Sequence, residues 1–289
     1  MFFGARGRAW MEALPRVVAG LERRWELRLG TRAYGGGSHS LVLPVTRSDG
    51  APAVLKVPVL DAENRLEADA LRSYAGDGAA LLYAADEASG ALLLERLEPG
   101  TPLIHHPDRE LAIDLAGALL RRLQRPVPAD HRFRPVPHMV RRWSRTMPAG
   151  LARHDPLPGP VRQAALDALE ALSTPADGGG GRPVLVNRDG HMHNMLAAQR
   201  EPWLLVDPKP LAGEPAFDGG WLLIDALRSG PTATAAAHFA ERIGAGLGVP
   251  AERVRAWALC RAVEDVLWHL DLAEDPSEYA AIAAALTGA

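Results

Sequence analysis

The chain holds one cysteine, Cys260, and two lysines, Lys56 and Lys209, among 289 residues. One cysteine cannot close an internal disulfide, so a disulfide-stapled fold is excluded and a reducing, cytoplasmic compartment is expected. No apolar run approaches the roughly 18 residues of a membrane-spanning helix. The opening residues, MFFGARGRAWMEALPRVV, are broken by Gly and Arg and lack a signal peptide's unbroken apolar segment. Neither sign of charge dominates: a formal net charge of −3 excludes a strongly basic nucleic-acid binder. No nucleic-acid or membrane partner is therefore expected, and the sequence carries no signal for oligomeric state. At this length one core usually divides, which predicts two lobes.

The scarcity of lysine also has a positive meaning. Of 32 basic residues, 30 are arginine. Lysine kept at two places in such a chain points to a need for a compact ammonium, which acts on phosphate as a point charge where arginine acts as a planar fork. Chance retention is the plain alternative.

Residues 184–210, VLVNRDGHMHNMLAAQREPWLLVDPKP, read as three short apolar strands at 184–186, 194–198 and 203–206. Asp189, Asn194, Asp207 and Lys209 stand at their ends. A buried hairpin with hard oxygen donors at its mouth suits Mg²⁺ and phosphate.

Upstream, residues 8–28 show helical spacing, and Gly36, Gly37 and Ser38 then lead into a β-prone run at 41–46. Glycines let the backbone approach a phosphate and Ser38 adds a hydroxyl, although a glycine triplet is more often a flexible turn. A second strand, 53–57, carries Lys56. Residues 61–75 form a helical pattern with Glu63 and Glu67 on its apolar face, where a carboxylate needs a partner. Lys56 is the obvious one, and Glu67 is the better candidate because apolar residues follow it at i+3, i+4 and i+7. Strands are expected at 80–84 and 91–97. The second ends in Pro99-Gly100, and if a nucleotide sits against Lys56, the first lobe hands over to the second here and the backbones of Glu95 and Leu97 would face the adenine edge. Helices follow at 108–124, 161–172, 219–228 (with Asp218 at its N-cap), 231–246 and 250–272, and a last one starts at Pro276. Strands crowd the first hundred residues and helices the remainder. That pattern is α+β, with a small β-rich lobe at 1–98 and a larger helical lobe at 99–289.

Together these residues resemble the aminoglycoside/hydroxyurea antibiotic-resistance kinases, within the kinase-like small-molecule phosphotransferases. The family pattern HGDLHxGNVL resembles NRDGHMHNML at 187–196, IDPK resembles VDPK at 206–209, and GALLLERLEPG is matched by residues 90–100. The late tryptophan-rich helix is similar to RVRAWALCRAVEDVLWHLDL at 253–272. The resemblance implies a bilobal protein-kinase-like fold and ATP-dependent phosphoryl transfer to a hydroxyl of a small molecule, an aminoglycoside such as streptomycin among the candidates. It implies Asp189 as the catalytic aspartate, Asn194 and Asp207 as Mg²⁺ ligands, and Lys56, positioned by Glu67, on the α- and β-phosphates of ATP. Lys209 is left without an assigned role. This chain departs from the pattern at Asn187 (His in the family), Arg188 (Gly) and His193 (Gly). The alternatives are a catalytically altered nucleotide-binding homologue and a kinase of a non-antibiotic metabolite.

Asp189, His191 and His193 also admit a metal-hydrolase reading, but later segments supply few further ligands. For the acceptor, Glu264, Trp268 and Asp271 fall on one helical stripe that suits an amino or guanidino sugar through ion pairs and cation–π contact. The alternative is a solvated acidic face with Trp268 packed on the core. His131, Arg134 and His138, in the proline-rich loop 126–138, argue against a polycationic acceptor.

Overall fold

The computed structural model describes residues 4–35, 39–174 and 182–288. The chain divides into two compact units, one of Met1–Gly100 with Ala197–Lys209 and one of Thr101–Leu196 with Pro210–Ala289. The segment carrying Asp207 and Lys209 thus returns to the first unit.

The first unit begins with α1 (Gly4–Arg24), β1 (Arg28–Leu29), β2 (Ser40–Thr46), β3 (Pro52–Pro58), α2 (Glu67–Tyr74), β4 (Leu82–Asp86) and β5 (Ala91–Glu95). Its strands form one antiparallel sheet ordered β1-β2-β3-β5-β4, with β3 at the centre. Alternation along β3 sends Ala53, Leu55 and Val57 into a core with Val18 and Leu21 of α1. The same period of two turns Lys56 to the opposite face. An unpaired ion buried there would cost several kcal/mol, more than the ~1.5–3 kcal/mol that one buried aliphatic residue contributes, so β3 tolerates Lys56 only if a carboxylate meets it.

Three expected boundaries in this unit move for identifiable reasons. α1 ends at Arg24 rather than residue 28, because Glu26 adopts φ 51° and the chain turns there. α2 starts at Glu67 rather than residue 61. The Asp61 carboxylate accepts the amides of Glu63 (2.7 Å) and Asn64 (3.0 Å), and Asn64 Oδ1 accepts that of Asp61 (2.9 Å), a local network that competes with helix. β4 starts at Leu82 rather than residue 80, since the Ala80 amide donates to Leu205 O of the returning segment.

The second unit contains α3 (Arg109–Leu123), β6 (Arg134–Pro135), α4 (Val136–His154), α5 (Gly159–Ser173) and β7 (Val184–Asn187). The chain then forms β8 (Met195–Ala197) paired with β9 (Trp203–Leu205), and continues into β10 (Pro210–Gly213), α6 (Ala216–Leu227), α7 (Ala233–Leu247), α8 (Ala251–Asp271) and α9 (Ser277–Thr287). The three-strand hairpin expected at 184–206 does not form. β7 pairs instead with β10, in antiparallel register Pro210↔Asn187, and β10 also pairs with β6. β10 escaped the sequence reading because PLAG opens on a proline, which reads as a break but is tolerated as a strand's first residue. Asn194 lies in a 3₁₀ turn, Met192–Asn194, not in a strand. His138 lies in α4 rather than in a loop.

The core of this unit centres on α8, whose Val254, Trp257, Ala258, Cys260, Val263 and Val266 are buried. α6 crosses it closely. A Cβ on Gly220 would come within 3.1 Å of the Trp257 carbonyl carbon and 3.2 Å of the Ala258 nitrogen, tight enough that the α8 backbone would have to give by a few tenths of an ångström. Cys260 is buried here and its thiol is pushed up to about 12 by burial, which makes it a packing residue. Among the described residues no helix is long and apolar enough to cross a membrane.

Candidate active site

The candidate residues fall in two groups, one per unit. In the first, Lys56 is 5% exposed and donates to Glu67 Oε1 (2.7 Å), Glu67 Oε2 (2.6 Å) and Asp207 Oδ1 (2.7 Å). Its three ammonium hydrogens are thus matched by three carboxylate oxygens. Burial works against the charged ammonium, but Glu67 and Asp207 outweigh it, and Lys56 is raised above its ordinary value. Glu67 is 1% exposed and is pushed up to about 7 by burial, against the pull of Lys56. The Asp207 side chain is 41% exposed. It follows β9 with φ 50°, a left-handed conformation that aspartate tolerates better than most residues. Lys209 adds its charge to the field at Glu67.

Glu95 has a role the sequence did not suggest. Its carboxylate accepts the Leu81 amide (2.9 Å) and two bonds from Arg200 (2.9 and 2.8 Å), and its own amide donates to Leu81 O. Leu97 is half-buried beyond the end of β5. Gly36, Gly37 and Ser38 lie outside the described residues.

In the second unit, Asp189 is half-buried in the turn after β7. Asn194 Nδ2 donates to Asp189 O (3.0 Å), which fixes the side-chain amide plane. Asp218 is not an N-cap. The helix begins at Ala216 after Pro215, so Asp218 lies inside its first turn, 2% exposed. There it accepts the Asn187 amide (2.6 Å) and Gln124 Nε2 (2.9 Å). Burial pushes Asp218 up to about 7, although these two donors oppose it. Asp225, which the sequence reading passed over, is buried and accepts the Met192 amide (2.7 Å). Two carboxylates of α6 therefore hold the backbone on either side of Asp189. Their only sequence signal was an acidic pair in an otherwise apolar helix.

His191 and His193 meet edge-to-face at 5.6 Å, and His191 also packs on Trp221 at 5.9 Å. The His193 pKa is lowered, chiefly by burial. Among the described residues no group of three or more His, Cys, Asp or Glu could hold a metal ion. Of the α8 stripe, Glu264 pairs with Arg142 (2.5 Å) and Arg188 (3.8 Å), and Asp271 with His154 (2.9 Å) and Arg153 (3.3 Å). Trp268 is 53% exposed, not packed on the core. His131 is half-buried, while Arg134 and His138 are exposed. A further residue that the sequence did not flag is Arg261, 3% exposed and stacked over the Trp221 ring at 4.5 Å.

Residues 24–273 match the family described as aminoglycoside/hydroxyurea antibiotic resistance kinase. The hydroxyurea phosphotransferase of Kitasatospora aureofaciens is 37% identical, covering 99% of this chain and 82% of that protein. The streptomycin 6-kinase of Streptomyces griseus is 34% identical, covering 93% of this chain and 87% of that protein. In fold, the chain is similar to a choline/ethanolamine kinase family protein from Mesorhizobium loti, with TM-score 0.63, 20% identity and coverage of 96% and 92% of the two chains.

Proposed function

Because the chain belongs to the aminoglycoside/hydroxyurea antibiotic resistance kinase family, we propose that it moves the γ-phosphoryl group of ATP, with Mg²⁺, to a hydroxyl of a small molecule in the cytoplasm. The observation that carries this reading is the buried Lys56–Glu67 pair with Asp207 as third partner. Phosphoryl transfer asks mainly for positioning and for neutralisation of spreading negative charge. A lysine held from below by a fully buried glutamate presents such a charge at a fixed place. Of its two partners, the more exposed Asp207 is the one Lys56 can exchange for a phosphate oxygen.

The donor chemistry fits Mg²⁺. Asn194 has its amide nitrogen tied to Asp189 O, leaving Oδ1 as the atom able to ligate a cation, and Asp207 offers a partly exposed carboxylate. Mg²⁺ characteristically takes one or two protein oxygens and completes its shell with water and phosphate. When bound, the ion supplies neutralisation of phosphate charge. Asp189 accepts a hydrogen bond from the acceptor hydroxyl and takes its proton as the new O–P bond forms and the bond from the γ-phosphorus to its bridging oxygen breaks, releasing ADP, a role worth about 10²–10⁴-fold. Asn187 and Asp218 position the turn that carries it. The backbones of Glu95 and Leu97 take the adenine edge, with Glu95 limited to its carbonyl because its amide is spent within the sheet.

The names of the two relatives offer two acceptor chemistries: hydroxyurea is uncharged and streptomycin carries guanidinium groups. The deciding experiment incubates the protein with Mg·ATP and a panel of amino sugars, hydroxyurea and simple alcohols, following ADP and phosphorylated product. ATP bound without product across the panel favours a non-catalytic homologue.

A further inference from the structure

Arg188 is one of three residues at which this chain departs from the family pattern, and it stands where that pattern has glycine. It directly precedes Asp189. Its Nη2 lies 3.8 Å from Glu264 Oε1, the same oxygen that Arg142 Nη2 approaches at 2.5 Å. The carboxylate that a guanidino or amino acceptor would need is therefore held between two guanidinium groups. Arg261, three residues before Glu264 on α8, adds a third. It is buried, and its Nε and Nη1 have no hydrogen-bond partner among the described residues. Its charge is felt together with those of Glu264, Arg188, Asp265 and Asp189. Asp265, the second carboxylate of this cluster, is pushed up to about 6 by burial, with Arg261 and Arg188 opposing that shift. Asp271, the remaining acid of the stripe, is already held by His154 and Arg153.

A cationic acceptor brought here would meet like charge and would have to displace an arginine, which is how an interface rejects a partner. An oxygen acceptor of hydrogen bonds would meet guanidinium donors in a planar fork. We propose that the acceptor side of Asp189 selects an uncharged or anionic molecule bearing a carbonyl-type oxygen, and that Arg142 and Arg188 set this preference together by holding Glu264. This rests on the phosphotransferase reading and adds the acceptor's charge class to it.

The test uses the full chain and calorimetric titration with streptomycin as the cationic probe and hydroxyurea as the uncharged one. The proteins are the wild type, Arg142→Ala/Arg188→Gly, Arg142→Ala/Arg188→Met (should the glycine variant not fold) and Arg142→Ala/Arg188→Gly/Glu264→Gln. Removing both arginines should tighten streptomycin binding about tenfold or more, as expected for one contact to a released carboxylate. The triple variant should lose that gain, and hydroxyurea should bind the double variants more weakly than the wild type. Streptomycin affinity that does not rise, or a rise that survives Glu264→Gln, overturns the assignment. Mg·ATP is titrated separately into each protein. Nucleotide binding intact beside a failed charge test discards the acceptor preference alone, whereas a wild type that binds no nucleotide discards the phosphotransferase reading.

Discussion

Lys56 and Arg261 are both buried cations, one in each unit, and their surroundings are opposite in kind. Lys56 gives three hydrogen bonds to carboxylate oxygens and is raised above its ordinary pKa by Glu67 and Asp207 despite burial. Arg261 rests on the faces of Trp221 and Phe217, keeps two nitrogens without hydrogen-bond partners among the described residues, and is lowered by burial. A fully paired buried ion is a fixed anchor, because moving it strands its partner. A buried ion supported largely by ring faces retains donor capacity and shapes the field around it. The first suits the proposed phosphate site, the second the proposed acceptor side of Asp189.

The largest expected effect lies in the second unit. Asp189→Ala should lower kcat by about 10²–10⁴-fold while Mg·ATP affinity stays within about threefold. Turnover at the wild-type rate would remove Asp189 from the reaction. On the anchor side, Lys56→Ala leaves Glu67 buried without its cation, and such a stranded charge costs about 3–5 kcal/mol. Chemical denaturation should show that loss, and nucleotide titration a weaker ATP affinity. Unchanged stability would mean that Lys56 is not the anchor its geometry makes it.

The same contrast explains what the sequence made legible. Lys56 and Glu67 could be paired from sequence because each was anomalous for its place, a lysine in an arginine-rich chain and a carboxylate on an apolar helix face. Arg261 and Asp225 gave no comparable signal: arginine is everywhere in this chain, and an acid in a helix is ordinary until its burial is seen. The motif resemblance marked the residues around Asp189 but not their supports. Asp218 looked like a cap, because capping is the commonest use of an aspartate at a helix start, and Pro215 shifted that start upstream. β10 was hidden by its proline, and with it the true partner of β7. Local propensity located most helices to within a few residues. Strand pairing was harder, since it depends on contacts far apart in sequence.

Asp218 offers a test of the anchors by pH. Its value is about 7 in the folded chain, raised mainly by burial, against 3.8 ordinarily. Between those values the folded state binds a proton that the unfolded state does not. Stability from this group is therefore complete below the ordinary value and is lost as pH rises towards 7, by about 4 kcal/mol at most. Glu67 and Asp265, both also raised by burial, act with the same sign. Melting temperature followed from pH 4.5 to 7.5 should fall less steeply in Asp218→Asn than in the wild type. Equal slopes would show that Asp218 remains ionised in the fold, held by the Asn187 amide and Gln124.

The smallest effect concerns two arginines whose pairing looks similar on paper. Arg200 binds both oxygens of Glu95 and donates to Gly76 O (2.6 Å) and Ala79 O (2.9 Å), so one guanidinium joins three separate stretches of the first unit. Arg153 makes a single 3.3 Å contact to Asp271, with both side chains more than half exposed. Hydrogen bonds to charged groups contribute about 1.5–3 kcal/mol where water does not replace them, and exposed pairs contribute ~0–1 kcal/mol. Arg200→Ala should therefore cost about 2 kcal/mol in denaturant unfolding and Arg153→Ala less than about 0.5 kcal/mol. If the two variants were equal, surface pairing alone would account for Arg200, and Glu95 would lose its status as a braced residue at the end of β5. A clear gap would instead mean that its carboxylate, along with its amide, belongs to the scaffold, leaving only the Glu95 carbonyl for an adenine.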